Sequence, residues 1–482
     1  MLNAQFSLDG PDRISRILHN LLPVDMFRNH VAHPATLEAF LDYYQIPGVS
    51  IAVIDDFQIA WTKTAGVLDA SGNEPVTPET LFQGASISKP VSAIMALRLV
   101  EQGVLGLDED VNTRLISWKI PPTTYQGPNG NETWQSRVTL RQLLSHTAGL
   151  SVHGFPGYTQ KDTLPTLLDI LDGRAPANTR PIRVDTLPGF HNRYSGGGYC
   201  ILRQLLTDRT GLPFPQLARE LVLDPLGMHD STFEQPLPSK LAKHAATAHR
   251  SDKQPITGKW HIYPEMAPDG LWSTATDIAR FAIALQLAHV GRENSILSQS
   301  MARQLFTPQS LQESEEPCGL GVFVYGEGEN ARFGHDGHND GFSSSFIAYQ
   351  QRGQGAVVMN NSDADLIHEL FNAIAVEYQW PDYLPTRPRL FDDPSVRERY
   401  VGTYATRSGL RFTLTSYADG LFLTALDQPA LRLFPRSEIN YFAEAIDAEI
   451  SFVKDESGAA NSLLFRQNGR ELRAEKQAES SG

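Results

Sequence analysis

The chain reads as an α+β protein within the broad α/β class: an antiparallel sheet flanked by helices with an inserted helical subdomain, then a small all-β barrel. Three observations predict this. Apolar runs of strand character at residues 49–61 return only at 323–359, with mostly helical patterning between them, so one sheet is assembled from distant parts of the chain. Pro381, Pro385, Pro388 and Pro394 punctuate a mixed-charge segment, which is linker chemistry. Beyond it, short apolar strands recur at roughly 8–12-residue spacing. The expected organisation is an N-terminal extension (1–34), a main domain (35–380), a linker (381–394) and a barrel (395–478).

In chain order, residues 35–46 predict a helix feeding Ile46-Pro47-Gly48. Val49–Ile54 and Phe57–Trp61 then form two strands of a hairpin around Asp55-Asp56. Leu81-Phe82 leads into Gly84-Ala85-Ser86-Ile87-Ser88-Lys89-Pro90 and an apolar run from Val91 to Val100, a largely buried helix. Proline is tolerated only in a helix's first turn, so this helix begins near Ser86, and Gly103 is its expected C-cap. Residues 105–290 read as mostly helical, broken by Pro121-Pro122 and Gln126-Gly127-Pro128-Asn129-Gly130. Strands follow at Phe323–Tyr325, Ser345–Tyr349 and Ala356–Met359, and a helix at about 364–378. Barrel strands are expected at 410–414, 421–424, 431–433, 449–453 and 462–465, with Asn468-Gly469 a hairpin turn.

Bulk properties narrow the function. With 482 residues, 41% hydrophobic and 20% charged, the composition is that of a globular protein. A formal charge of −14 with no basic block argues against nucleic acid and anionic membranes as partners. The first residues lack a basic, apolar leader, and no apolar run is long enough to span a bilayer, so a cytoplasmic location is expected. Cys200 and Cys318 are the only cysteines, which leaves no disulfide framework or Cys-x-x-Cys metal site.

Ser86 and Lys89 stand three apart at a helix start, on one face, so the amine reaches the hydroxyl. A desolvated lysine beside such a serine loses its proton near neutral pH and acts as base, building an acyl-accepting nucleophile. The plainer alternative is an N-capping serine with a solvated lysine. Tyr194 precedes Gly196-Gly197-Gly198 on a loop entering a helix. Beside a lysinium its phenol ionises more easily and shuttles the serine's proton; alternatively it packs over a glycine turn. His335-Asp336-Gly337-His338 is expected to line a sheet edge facing the nucleophile. His335, Asp336, His338 and Asp340 also admit a metal reading, but His-x-x-His sends its rings to opposite faces of a strand. No metal or cofactor is assigned. The triple glycine lacks the Lys-Ser/Thr of a phosphate loop, and Ser88 breaks a Gly-x-Ser-x-Gly elbow.

With these motifs in order, the chain resembles the serine β-lactamase-like hydrolases: class C β-lactamases, D,D-peptidases, D-aminopeptidases and their esterase relatives. Ser86-x-x-Lys89, the Tyr194 loop and His335-x-Gly337 (where β-lactamases usually carry Lys-Thr-Gly) match in sequence. So do Ile46-Pro47-Gly48-Val49-Ser50-Ile51, Leu143-Leu144-Ser145-His146-Thr147-Ala148-Gly149-Leu150, Asp224-Pro225-Leu226-Gly227-Met228 and Gly270-Leu271-Trp272-Ser273-Thr274. The resemblance spans about residues 35–380 and implies a β-lactamase/transpeptidase-like fold; the C-terminal barrel looks lipocalin-like.

The resemblance implies that Ser86 forms an acyl-enzyme while Lys89 and Tyr194 share the proton transfers. The N–H groups of Ser86 and His338 would make the oxyanion hole, and His335, Gly337 and Trp272 would contact substrate. Trp272 walls the pocket or packs in the core; His335 bonds substrate or is structural; His146 stabilises a turn. Two departures bear on substrate: Gly196 replaces the usual asparagine, and His335 replaces the lysine that helps hold a substrate carboxylate. The implied activity is therefore acyl-serine hydrolysis of a small ester, amide or peptide, of esterase or D-amino-acid peptidase type. The alternatives are weak β-lactamase or penicillin-binding activity, or a catalytically idle binding protein. A homo-oligomer is compatible with either.

Overall fold

The computed structural model describes residues 10–21, 36–127, 130–189, 191–293, 296–309, 317–364, 366–384, 394–417, 420–425, 430–435, 439–443, 448–454, 460–467 and 470–477. The first compact unit runs through Tyr383 and includes residues 10–21; the second runs from Leu384. Most of the expected linker lies outside the described residues.

The longer helices of the first unit are α1 (Gly10–Leu18), α2 (Ser88–Glu101), α3 (Gly196–Thr210), α4 (Ala275–Val290) and α5 (Ile367–Glu377). Its strands are β1 (Gly48–Asp55), β2 (Gln58–Gly66), β3 (Phe82–Ala85), β4 (Thr123–Gly127), β5 (Gly130–Trp134), β6 (Leu271–Ser273), β7 (Phe323–Tyr325), β8 (Arg332–Asn339), β9 (Phe342–Tyr349) and β10 (Gly355–Asn360). The main sheet has the order β2-β1-β10-β9-β8-β7, antiparallel throughout. The hairpin near the N-terminus thus docks on strands some 300 residues later, with Val49 opposite Asn360 and Ile54 opposite Gly355.

Gly48–Ile54 is buried at every position, as a run that is apolar except at Ser50 requires, whereas β2 at the sheet edge is partly exposed along its length. Helix α4 packs on β1, β2, β9 and β10, and α5 packs on β10. The ends of α4 are written in sequence: Thr274 accepts from the Asp277 N–H, and Gly291 takes the left-handed conformation that glycine adopts without cost. Residues 10–21 of the expected N-terminal extension form α1 and pack on α5, where the Arg16 guanidinium grips the Glu377 carboxylate.

The stretch 105–290 is less helical than its pattern predicts. It holds the hairpin β4–β5, the strand β6 and several helices of seven residues or fewer. Threonines and aromatics flank the Gly127-Pro128-Asn129-Gly130 segment, so local β-propensity and turn chemistry prevail over the apolar spacing.

The second unit is a closed eight-stranded barrel, β11 to β18: Gly402–Thr406, Arg411–Tyr417, Gly420–Ala425, Leu431–Pro435, Asn440–Ala443, Ala448–Lys454, Ala460–Gln467 and Arg470–Lys476. Alternate residues such as Phe412 and Leu414, Leu421 and Leu423, or Ile450 and Phe452 fill its own core. The strands at 402–406, 440–443 and 470–476 add to the five expected. The expected Asn468-Gly469 turn lies outside the described residues, although Gln467 pairs with Arg470 across it.

Candidate active site

The site begins where β3 hands over to α2. β3 pairs with β6 through a register shift between Gln83 and Ala85. Ala85 adopts a left-handed φ of 46°, a strained conformation for a residue with a Cβ. This turn projects Ser86 out of a strand that packs against β8, β9 and β10. Ser88 holds it: its hydroxyl donates to the Ala85 carbonyl at 2.5 Å and accepts from the Leu271 N–H at 2.9 Å. Helix α2 begins at Ser88, two residues after the serine, with Pro90 in its first turn.

Lys89 is 1% exposed, and its ammonium has three partners. Nζ donates to Ser86 Oγ at 2.8 Å, to the Pro268 carbonyl at 3.0 Å and to Asp269 Oδ1 at 3.2 Å. Ser86 Oγ itself donates to Asp269 Oδ1 at 3.0 Å. Burial disfavours the lysine's charge, but the Asp269 carboxylate and Tyr194 outweigh it and hold the ammonium above its ordinary value. The expectation of a lysine that deprotonates near neutrality is therefore corrected, and the buried carboxylate is the cause.

Tyr194 lies beside Ser86 and Lys89, both of which act on its phenol, and Lys89 Nζ sits 4.8 Å from its ring centre. Burial raises its phenol above the usual range and the Lys89 charge only partly opposes this, so the phenol stays protonated, contrary to the expected easy ionisation. The ring lies 4.3 Å from that of His146 and 4.9 Å from that of His153. His146, itself left-handed at φ 58°, accepts the Ser195 N–H on Nδ1 at 3.1 Å, while Ser195 caps α3.

Strand β8 closes the other side. β7 pairs only with Arg332–Gly334, so within the sheet the outer edge of His335–Asn339 is left to face the turn that carries Ser86. A Cβ on Gly337 would lie 2.3 Å from the Gly84 carbonyl oxygen and 2.5 Å from Ser344 Oγ; only glycine permits this approach. His335 is buried, and burial together with the Lys89 charge pushes its pKa down to about 3, so the ring is neutral. His338 is largely exposed, with Nδ1 3.3 Å from Ser343 Oγ. Ser86, His153, Tyr194, Asp269, Phe323, His335, Asp336, Gly337, His338 and His368 are among the residues lining a cavity of about 690 Å³.

A model of the beta-lactamase family matches residues 34–375. The chain belongs to the beta-lactamase family. Among its relatives is penicillin-binding protein 4* of Bacillus subtilis, 24% identical over 478 residues, covering 92% of this chain and 99% of the relative. Protein flp of Staphylococcus aureus is 26% identical over 338 residues, or 69% of this chain and 63% of that protein. Among solved structures, the octameric penicillin-binding protein homologue from Pyrococcus abyssi superposes with a TM-score of 0.61 at 22% identity, covering 91% of this chain and 99% of the other. The D-alanine carboxypeptidase AmpC from Burkholderia cenocepacia gives 0.56 at 19% identity, covering 77% and 99%. These likenesses carry the fold.

Within this beta-lactamase fold, Ser86, Lys89, Tyr194, His335, Gly337 and His338 converge on one cavity or its wall. Trp272 does not, which corrects its expected substrate contact. It is fully buried, edge-on to Trp260 and Phe342 at 5.1 and 5.7 Å, because β6 lies behind β3 and turns the indole into the core. Sequence reading missed Asp269. The Gly270-Leu271-Trp272-Ser273 phrase marked the neighbourhood, but nothing in the chain spacing marks a carboxylate one residue ahead of it as a partner of Ser86.

Proposed function

We propose that this chain is an acyl-serine hydrolase of small esters or amides, with Ser86 as nucleophile. The observation that carries the reading is the Ser86 hydroxyl at the cavity wall, 2.8 Å from a buried ammonium and within reach of a protonated phenol. Ser86 Oγ bonds to the carbonyl carbon as its O–H bond breaks and the proton passes to a basic group of the site. The N–H groups of Ser86 and His338 donate to the developing oxyanion, a contribution of about 3–4 kcal/mol for one such donor. Tyr194 delivers a proton to the leaving group, and Lys89 stabilises the charge on both oxygens. Water then takes the leaving group's place and releases the acid.

The lining favours neutral acyl donors over anionic ones. Asp269 and Asp336 face the cavity, His335 is neutral and Gly196 offers no side-chain amide. A substrate carboxylate therefore meets no free ammonium or guanidinium among the described lining residues. This supports ester or aminopeptidase-type amide cleavage over efficient β-lactam hydrolysis, the runner-up that relatives named as penicillin-binding proteins bring into range. By analogy with the octameric relative, self-association is also proposed; light scattering on the intact chain tests it.

The test is the initial rate on a p-nitrophenyl short-chain ester, D-alanine p-nitroanilide and nitrocefin, for wild type and Ser86→Ala. The ester or the anilide is expected to turn over faster than nitrocefin, and Ser86→Ala to lose several orders of magnitude. No turnover of any substrate, or a Ser86→Ala variant at the wild-type rate, overturns the reading.

A further inference from the structure

We infer that Asp269 is the general base that takes the proton from Ser86 during acylation, with Lys89 protonated in that step rather than acting as the base. The inference rests on the acyl-serine reading above. Three observations carry it.

The first is geometric. The Ser86 hydroxyl donates to Asp269 Oδ1 at 3.0 Å, whereas Lys89 donates to Ser86 Oγ, so the serine's proton already points at the carboxylate. A base must lie within hydrogen-bonding reach of the proton it removes, and Asp269 does so before substrate arrives. The second is placement. The Asp269 carbonyl accepts from Asn339 Nδ2 at 3.1 Å, which ties it to β8, and a Cβ on Gly270 would lie 2.6 Å from Met266 Cα, so the turn carrying Asp269 has no slack. The third is incomplete satisfaction. Asp269 is 5% exposed, yet its Oδ2 is buried with no protein donor, while Oδ1 serves both Ser86 and Lys89. A buried carboxylate kept only as an ion-pair partner is normally saturated with donors. This one leaves Oδ2 without a protein donor while Oδ1 holds the Ser86 hydroxyl.

In acylation, the Ser86 O–H bond breaks as Oγ bonds to the carbonyl carbon, and the proton moves to Asp269. Collapse breaks the bond to the leaving group, which takes a proton from Tyr194. Lys89 then passes one proton to the phenolate and takes one from Asp269, restoring all three groups.

Two measurements test this. Asp269→Asn is expected to lower kcat for the p-nitrophenyl ester by about 10²–10⁴-fold, the usual contribution of a general base, with KM little changed. If Lys89 were the base, removing the negative charge that holds its proton would leave the rate at pH 7 unchanged or raise it, and either result overturns the inference. The second readout needs no variant at Asp269, so it holds even if Asp269→Asn fails to fold. The groups around the pair are Tyr194, His146, His335, Cys200, Tyr263 and Glu265. Of these, Glu265 titrates nearest neutrality, at about 8, so the profile is taken on wild type and on Glu265→Gln. A carboxylate base predicts a level acylation rate between about pH 7 and 9 in both; a tenfold rise per pH unit, as deprotonation of lysine or tyrosine demands, overturns it. A dead Ser86→Ala beside an active Asp269→Asn sinks this inference alone. An active Ser86→Ala sinks the reading beneath it.

Discussion

Burial alone would strip the charge from Lys89, and one carboxylate reverses that outcome; the histidines nearby show the same ammonium acting in the opposite direction. His335 is buried against it and pushed down to about 3, because desolvation and a neighbouring cation both disfavour imidazolium. Its ring is therefore expected to show no titration by NMR from pH 5 to 9. A His335 midpoint inside that window would mean that burial and the Lys89 charge do not together hold the ring neutral. Glu265 gives the matching case for a carboxyl. Burial raises it from 4.5 to about 8, and both its oxygens lack donors. The folded chain then holds this proton up to about pH 8 while the unfolded chain releases it near 4.5, so stability falls as pH rises through that interval. Glu265→Gln is expected to raise the melting temperature at pH 9, by roughly 2–4 °C for each kcal/mol relieved, and to change it little at pH 5. An equal effect at both pH values would show that Glu265 is ionised throughout.

The approach of β8 to the β3–α2 turn sets the distance across which Ser86, the proposed nucleophile, and the proposed oxyanion donors cooperate. Gly337 fixes that distance, since a methyl there meets the Gly84 carbonyl and the Ser344 hydroxyl well inside contact. Gly337→Ala is expected to lower kcat/KM on the order of 10²-fold, the scale set by about 1 Å of misplacement, with the fold retained by circular dichroism. A wild-type rate would mean that β8 does not set the geometry. How much of this was legible in the chain varies by element. The strand pair at Gly48–Asp55 and Gln58–Gly66 and the helix after Ser86 announce themselves, because a nearly unbroken apolar run, a Pro at the first turn and a following Gly are strong local signals. Strand β8 is expected at a sheet edge from its place ahead of the next strand and not from its composition: Gly334, His335, Asp336, Gly337, His338 and Asn339 have little β-propensity, and the pairing of β8 with β9 makes them a strand. The barrel strand at 470–476 escaped for a related reason, since among Glu471-Leu472-Arg473-Ala474-Glu475-Lys476 only Ala474 is buried.

Across the whole molecule, chemistry and packing divide unevenly. The sheet topology could be anticipated because strands at both ends of the main domain had no other partners, but side chains that meet only after folding could not. Asp269, His153 and His368 reach the cavity from three separate stretches of chain, and sequence spacing holds no record of that. The barrel has its own apolar core, built from residues between Tyr400 and Ala474, while the first unit's main core draws on residues between Ala52 and Met359. All the cavity-lining residues named by the structure fall between Ser86 and His368. A chain ended after Leu384 is therefore expected to fold, because its core is complete without the barrel, and to keep wild-type kcat and KM on the p-nitrophenyl ester. Circular dichroism and steady-state kinetics on that truncation check both statements. A folded truncation whose KM rises at constant kcat would assign the barrel a part in binding substrate. One whose kcat falls would place it in the assembly of the site itself, and the cavity as drawn from the first unit would then be incomplete.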